Sequence, residues 1–319
     1  MQISSANTLP KNLIPVLVAV VVVAALGYLI AAVWAGLDEV GAALRDVGWL
    51  GLVGVFATSL FSYAFGFVRW QGYLRLLGHQ VPRGDNLGIY VGSFALAMTP
   101  ARAGEVLRSV FLRRFGVDFP SSFAAFAAER IVDLLAMALI VAVGLWSYPP
   151  ARPMIGVVIG GILAVLLVLN IPRLLQWFRG AFARLPRRFA GLAVGLVDTA
   201  LNFRSLFGLR GSSFGLGLGL LVVGAEGLGL WILLEAQGAN IPVLTALAIY
   251  GFSLLAGALS FLPGGVGGFE AAMILLLTAN GLSEGQAVAT TLLIRVGTLW
   301  FAVLLGIAVL PRVARAEGR

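Results

Sequence analysis

The chain contains a series of predominantly apolar runs. Most of them are continuous and do not alternate between apolar and polar residues. A membrane hydrocarbon core about 30 Å thick is spanned by roughly 20 helical residues. A run of that length therefore predicts a transmembrane helix, whereas a β-barrel strand would alternate. Six runs meet the criterion: residues 13–35, 49–68, 131–148, 154–171, 214–234 and 287–310. The fold class predicted is an all-α polytopic membrane protein with about six full transmembrane helices.

Two further apolar runs, residues 87–98 and 271–280, are too short to cross the membrane, because a helix rises only about 1.5 Å per residue. Each lies beside a polar loop that contains proline and glycine, "MTPARAGEVLRS" at 98–109 and "FLPGGVGGFEAAM" at 261–273. Such breaks free backbone groups that lipid cannot satisfy, so they occur where protein or a wet cavity surrounds them. We expect each run to form half of a re-entrant hairpin.

The two loops and their flanks match in order and spacing. "IYVGSFALAMTPARAGE" and "IYGFSLLAGALSFLPGGVGGFE" both begin Ile-Tyr, reach a proline through small residues, and end on a glutamate. In each copy a glycine lies four residues after the proline, and an arginine follows the glutamate at the same interval. The paired positions are Gly104 and Gly267, Glu105 and Glu270, and Arg130 and Arg295. This predicts a duplication, with residues 49–148 as the first repeat and 213–310 as the second.

Three predicted full spans separate the two loops, so the copies enter the membrane from opposite sides. Inverted-topology repeats of this kind build many secondary transporters, whose broken helices meet near the midplane. The whole chain, residues 1–319, is then a single membrane domain, in which the two polar loops face one interior site.

The charge distribution predicts an orientation in the membrane. Only 11% of the residues are charged, and the net charge is +8. The basic loops all fall on one side if both termini are cytoplasmic, as the positive-inside rule requires. We therefore expect a multi-pass protein of a bacterial or archaeal cytoplasmic (inner) membrane.

Residues 173–210 form a basic connector, with seven arginines and a single acidic residue, Asp198. Aromatic residues at helical spacing favour an amphipathic helix on the cytoplasmic leaflet, held by anionic membrane lipids. No nucleic-acid partner is expected, since no folded basic module is visible. Without cysteine, and with a single histidine, the sequence predicts neither a metal site nor a cofactor.

Ionisable residues inside apolar segments need partners, because each costs about 2.5–3.5 kcal/mol at the bilayer centre. In one interpretation Glu105 and Glu270 pair with Arg130 and Arg295 and pin each hairpin to its following helix. In the other, arginines and exposed helix N-termini bind an anionic headgroup. The two are compatible, since a phosphate can compete for a paired arginine.

The candidate site residues follow from the second interpretation. The arginines expected to contact the headgroup are Arg102, Arg108, Arg130 and Arg295. The glycines expected to allow close backbone approach are Gly104, Gly264, Gly265, Gly267 and Gly268. The carboxylates assigned to ion pairs or to proton coupling are Glu105, Glu129, Asp133, Glu226 and Glu270. For Glu226, in "GAEGLGLW", hydrogen bonding between helices and proton coupling both stay open.

The stretches "TPARAGEVLRSVFLRR", "AERIVDLLAM", "FLPGGVGGFEAAMILLL" and "LLIRVGTL" resemble the flippase-like membrane domain family, also known as the lysylphosphatidylglycerol synthase transmembrane region. In fused members that region is similar to the part that moves an aminoacylated phospholipid between leaflets. Stand-alone members are associated with hopanoid lipids, cardiolipin or polyprenyl-linked sugars. With no aminoacyl-transferase domain after the membrane region, this chain is expected to be a stand-alone member rather than a synthase.

The leading hypothesis is a flippase that moves an anionic phospholipid or a polyprenyl-linked lipid between leaflets. The alternative is a non-transporting, lipid-binding scaffold that partners an envelope-synthesis enzyme. A third, weaker hypothesis is a membrane-embedded transferase acting on polyprenyl phosphate. No GxSxG, HExxH or Walker motif is present, so we expect no enzyme activity. The chain could form a homodimer.

Overall fold

The structure is a computed structural model that describes residues 33, 37–99, 105, 108–147, 171–184, 204–260 and 262–315, with isolated positions between 153 and 197. Every regular element in this described part is helical. Apart from Val33, the predicted span 13–35 lies outside it, and so does half of the predicted span 154–171.

The first half of the described chain contains four helices. They are α1 (Leu37–Leu76, with a kink at Gly48, where φ is 58°), α2 (Arg83–Gly92, continued by a 3₁₀ turn at Ser93–Leu96), α3 (Arg108–Leu112, continued by a 3₁₀ turn at Arg113–Phe115) and α4 (Phe119–Gly144, continued by a 3₁₀ turn at Leu145–Ser147). Among the described residues that follow, two connecting helices are present, α5 (Pro172–Phe182) and α6 (Arg204–Phe207).

The second half contains five helices. They are α7 (Leu209–Ala236), α8 (Val243–Leu259), α9 (Gly268–Ala279), α10 (Glu284–Arg295) and α11 (Phe301–Arg315). A 3₁₀ turn at Pro263–Gly265 lies between α8 and α9, and a π-helical turn at Val296–Trp300 joins α10 to α11.

Three stretches of the described helices are long and apolar enough to cross a membrane: Leu44–Leu76, Leu209–Ala236 and Glu284–Arg315. At 26 residues, α4 is about 39 Å long, but it carries three charged residues in its interior. The helices α8 and α9 are shorter, with 17 and 12 residues. The all-helical membrane fold is confirmed, while the count of six spans and the re-entrant hairpins stay predictions.

Two of the described helices extend beyond the predicted spans. The predicted span 49–68 ends just before Arg69 and Trp70, whereas α1 continues to Leu76 and buries both side chains. Arg69 is neutralised by carboxylates of α4, and Trp70 Nε1 donates to Asn86 Oδ1 at 3.1 Å. Likewise, the helix that contains the predicted span 131–148 begins earlier, at Phe119, because the charges in between are paired inside the protein.

The turn after α1 and the turn after α7 have the same geometry. Gly78 and Gly238 adopt positive φ angles of 87° and 71°. The residue after each glycine donates its backbone N–H to the carbonyl five residues back, at 2.9 Å in both turns. This Schellman arrangement ends a helix at a left-handed glycine. Pro82 and Pro242 then precede α2 and α8 with ψ angles of 134° and 143°.

A second pair of turns also matches. Gly116 before α4 and Gly281 before α10 have φ angles of 76° and 97°, and each is followed by the same backbone hydrogen bond. Each half is thus a long helix, a short helix, a loop, a second short helix and a long helix. Before the loop, each residue of the first half is equivalent to the residue of the second half at the sequence interval that separates Gly78 from Gly238. After the loop, the interval is the one that separates Gly116 from Gly281.

The opening helices of the two halves, α1 and α7, pack against each other and run antiparallel. Gly54 lies against Ile232 near one end of the pair, and Gly72 lies against Phe214 near the other. Glycine at these positions lets the helices approach closely, as is common in membrane bundles.

Each short helix packs on the closing helix of the opposite half: α2 on α11, and α8 on α4. The closest contacts are at glycines of the closing helices. A Cβ added at Gly306 would lie 2.1 Å from the backbone nitrogen of Ala95, and one added at Gly144 would lie 2.3 Å from Ala248 Cβ. The short helix of each half therefore packs against the closing helix of the other half.

The helix α5 is the longest continuously described part of the predicted connector. Its Leu175 is buried in the core of the first half, and Phe178 and Phe182 pack against the same core. Trp177 points outward and is exposed. The helix is amphipathic, as the sequence predicts, and its binding to a lipid surface stays a prediction.

Candidate functional site

Arg108, at the start of α3, is the centre of an ion-pair network inside the first half. Its Nη2 donates to Glu105 Oε2 at 2.9 Å, its Nη1 to Glu129 Oε2 at 3.0 Å and its Nε to Ser93 Oγ at 2.7 Å. Arg108 is only 2% exposed. Its guanidinium carbon also lies 4.8 Å and 4.5 Å from the ring centroids of Trp70 and Tyr90.

Arg69 of α1 joins the same network through two carboxylates of α4, Glu129 and Asp133. Its Nη1 lies 2.7 Å from Asp133 Oδ1, and its Nε lies 3.7 Å from Glu129 Oε1. Sequence reasoning missed this residue because the hydropathy pattern placed it at a span boundary. The signal that could have found it is the helical spacing of Glu129 and Asp133, which puts two carboxylates on one face of α4.

Arg130 is the most accessible cation of this cluster, with 27% of its side chain exposed. Its Nη2 lies 3.0 Å from Asp133 Oδ2 and 4.0 Å from Glu105 Oε2. Both carboxylates have a closer second partner, since Asp133 holds Arg69 at 2.7 Å and Glu105 holds Arg108 at 2.9 Å. Arg130 can therefore move away without leaving either carboxylate unpaired.

In the second half, Arg295 and Glu270 form a direct pair, with Arg295 Nε 2.7 Å from Glu270 Oε1. Arg295 Nη2 also donates to the carbonyl of Gly265 at 3.3 Å. The other carboxylate oxygen of Glu270 accepts the backbone N–H of Gly267 at 2.6 Å. The pair thus ties α10 to the glycine loop and to the start of α9.

The glycines of this loop have structural reasons for lacking a side chain. Gly264, Gly265 and Gly267 have φ angles of 64°, 68° and 91°, which L side chains rarely adopt. A Cβ added at Gly268 would lie 2.8 Å from Ser260 Cβ of the segment that ends α8. Of these four glycines, Gly264 and Gly265 line the cavity that lies between the two halves.

Glu226 of α7 joins three helices. Its Oε1 accepts a hydrogen bond from Ser62 of α1 and its Oε2 one from Tyr250 of α8, both at 2.9 Å. The equivalent position in the first half is Gly66, against which Tyr90 places its hydroxyl group. Hydrogen bonding between helices is therefore in place at Glu226, and a role in proton coupling stays a prediction.

A cavity of about 410 Å³ lies where the two halves meet. Its polar wall combines groups from both halves: Arg69, Glu105, Arg108, Arg130, Asp133, Glu226 and Arg295. Glu129 pairs with this wall but does not itself line the cavity. Within the described residues no group of His, Cys, Asp and Glu could hold a metal ion. Arg102 and Gly104 lie outside the described residues.

The first-half cluster is balanced in charge, with three guanidinium groups facing three carboxylates. The positions equivalent to Arg69, Arg108, Glu129 and Asp133 in the second half are Gly229, Met273, Ile294 and Thr298. The second half therefore keeps only the Glu270–Arg295 pair of this set. The cavity is strongly ionic on one side and mostly apolar on the other.

Comparison with known proteins assigns the chain to a family. Residues 16–306 match the family described as "Lysylphosphatidylglycerol synthase TM region". A "UPF0104 membrane protein" of Methanothermobacter thermautotrophicus is 22% identical, over 94% of this chain and 95% of its own. The "UPF0104 membrane protein PH1989" of Pyrococcus horikoshii is 23% identical, over 75% and 80%.

A third relative carries an enzyme name. The "Glycosyltransferase AglD" of Haloferax volcanii is 26% identical over 68% of this chain, but the match covers only 41% of that protein. The resemblance drawn from the paired motifs is confirmed by the family match, which includes both polar loops and the whole charged cavity. The protein is a multi-pass membrane protein that belongs to the family of the lysylphosphatidylglycerol synthase transmembrane region.

Proposed function

We propose that this protein moves an anionic phospholipid or a polyprenyl-linked lipid between the leaflets of the cytoplasmic membrane. The observation that carries the proposal is the shared cavity, in which arginines and carboxylates are enclosed by helices with apolar outer faces. A lipid headgroup matches the polar cavity, and the hydrocarbon chains of the lipid match the apolar outer faces of the helices. The proposal involves no catalytic step.

Arg130 is the proposed headgroup contact. It is the accessible guanidinium of the cluster, and its two carboxylate neighbours stay paired when it leaves. A phosphate can therefore take Arg130 in a charge-assisted hydrogen bond without stranding a buried charge. Arg108 is enclosed by its own partners and is proposed to hold the site together, and Arg295 to fix the glycine loop.

The opposite insertion of the two halves is part of the proposal. Matching turns support a duplication, and the antiparallel course of α1 and α7 supports an inverted relation between the copies. In such an arrangement each half can line the path of the headgroup from one leaflet. Both termini are proposed to be cytoplasmic, on the side of the arginine-rich loops.

The proposal is tested by lipid movement in sealed phosphatidylcholine vesicles that hold the purified protein. The probes are tail-labelled phosphatidylglycerol and a labelled polyprenyl phosphate, read by chemical reduction of the label in the outer leaflet. Wild-type protein is expected to accelerate the movement of at least one probe. Arg130→Gln is expected to slow it about tenfold or more, because a hydrogen bond to a charged group contributes about 1.5–3 kcal/mol.

Arg210→Gln is the matched control, since Arg210 is exposed at the start of α7 and does not line the cavity. Its rate is expected to equal that of wild type. If wild-type protein moves neither probe, the proposed transport is wrong.

The scaffold alternative is favoured by one observation, the relative named glycosyltransferase, whose length is mostly outside the matched region. In that relative, a region similar to this chain is joined to further sequence. This arrangement is consistent with a membrane region that binds a lipid and presents it to an enzyme. The same vesicles distinguish the two functions, because a scaffold binds the probe without moving it.

A further inference from the structure

The seam between α4 and α8 is closed at one end by glycine contacts. The helices run antiparallel, and Gly144 lies against Leu244 and Ala248. Further along the same seam, Gly251 lies against Met137. The Cβ of any residue but glycine would clash at Gly144, so the helices are in closest contact there.

Beyond Met137 and Gly251 the same seam is open. The residues that follow on each helix line the cavity: Leu134 on α4, and Leu254, Ala258 and Leu259 on α8. Leu134 is 47% exposed and Leu259 is 73% exposed, so side chains of the cavity wall reach the outer surface. Arg130 lies one helical turn from Leu134, which places the accessible cation next to this opening.

The equivalent seam, between α2 and α11, is sealed. Past the close contact of Gly306 with Ala95, the side chains of Ala97, Met98, Leu299 and Val303 form a buried cluster. Leu299 is equivalent to Leu134, by the offset that relates the turns before α4 and α10, yet it is only 6% exposed. Within the described residues, the two related seams therefore differ, because the α4–α8 seam connects the cavity to the surface and the α2–α11 seam does not.

We propose that the open part of the α4–α8 seam is a lateral portal for the hydrocarbon chains of a lipid whose headgroup lies at Arg130. The portal is apolar, begins at the charged cluster and ends at surface leucines, so it fits a chain that stays in the bilayer. A free anion would need no such opening. The inference rests on the proposed function only in that the cavity holds a lipid.

The test places a reporter inside the portal. Because the chain has no cysteine, Leu254→Cys can carry a single environment-sensitive fluorophore. The labelled protein is placed in phosphatidylcholine vesicles containing phosphatidylglycerol with a quencher on its acyl chain. Leu304→Cys, at an exposed position of α11, is the reference for full contact with lipid. We expect quenching at Leu254 to approach that at Leu304.

A plug and a matched control complete the experiment. Ala258→Phe, at the mouth of the portal, is expected to lower quenching at Leu254 several-fold. Ala271→Phe, an exposed alanine of α9 outside the cavity, is expected to leave it unchanged. Quenching at Leu304 but not at Leu254, or an unchanged signal with Ala258→Phe, would overturn the portal.

The failures of the portal and of the transport proposal are distinguishable. Quenching reports a chain in the seam and requires no movement between leaflets. Quenched protein that moves no lipid refutes transport and keeps the portal, whereas transport without quenching refutes only the portal.

Discussion

At the scale of single residues, two arginines of one cluster have different surroundings and therefore different tasks. Arg108 makes three hydrogen bonds to side chains and stacks on two rings, with almost no exposed surface. Arg130 has one close ion pair and about a quarter of its side chain exposed at the cavity. The two residues carry the same charge, but Arg108 is enclosed and holds the cluster together, whereas Arg130 is accessible from the cavity.

This difference predicts unequal stability losses. Arg108→Gln removes the nearest cation from two buried carboxylates, Glu105 and Glu129, and breaking a buried ion pair costs about 3–5 kcal/mol. Arg130→Gln leaves Asp133 and Glu105 paired with Arg69 and Arg108, so a loss of roughly 1 kcal/mol or less is expected, as for an accessible ion pair. Thermal unfolding in one detergent measures both variants against wild type. Equal melting temperatures for the two variants would contradict the assignment.

Part of this site could be predicted from the sequence. The repeated Glu-to-Arg spacing marks Glu270 and Arg295 as partners, and they lie 2.7 Å apart. The same spacing marks Glu105 and Arg130, but these lie 4.0 Å apart because Arg108, three residues after Glu105, takes that carboxylate at 2.9 Å. Spacing identifies which residues meet, and competition among several cations decides which of them bond.

At the scale of elements, glycine contacts decide which helices approach one another. The closing helix of each half has a glycine where the short helix of the other half crosses it. The apolar pattern predicts the helices but not these crossings, because every face of a membrane helix is apolar. Hydropathy also cannot separate a charge at a helix end from one paired inside, which is why Arg69 falls outside the predicted span although its side chain is buried and paired.

The crossings predict opposite effects of two glycine substitutions. Gly306→Ala forces a Cβ to within 2.1 Å of the Ala95 backbone, and overpacking costs about 1–3 kcal/mol. Gly217→Ala in α7 meets nothing within 4 Å and should raise stability, since alanine favours a helix by about 1 kcal/mol over glycine. Melting temperatures in detergent check both. A stabilising Gly306→Ala would show that α2 and α11 are not in contact.

At the scale of the whole molecule, two similar halves enclose one cavity without being equal. Their turns match in conformation, yet the ionic cluster belongs to the first half and the open seam lies on one side only. The paired motifs predict a duplication, which stays a prediction that the matching turns support. The asymmetry of the two halves could not be predicted, because burial of Leu299 and exposure of Leu134 depend on the packing of helices distant in the chain.

The opposite insertion of the two halves is the central claim, and cysteine accessibility tests it most directly in this cysteine-free chain. The exposed, equivalent positions Gln80 and Asn240, and Phe119 and Glu284, are each replaced by cysteine and labelled in sealed, oriented membranes with an impermeant thiol reagent. His79 and Asp118 lie 3.7 Å apart, which places the Gln80 and Phe119 positions on one side. We predict that Gln80→Cys and Phe119→Cys react from the cytoplasm, and that Asn240→Cys and Glu284→Cys react from outside. Labelling of Gln80→Cys and Asn240→Cys from the same side would contradict the account.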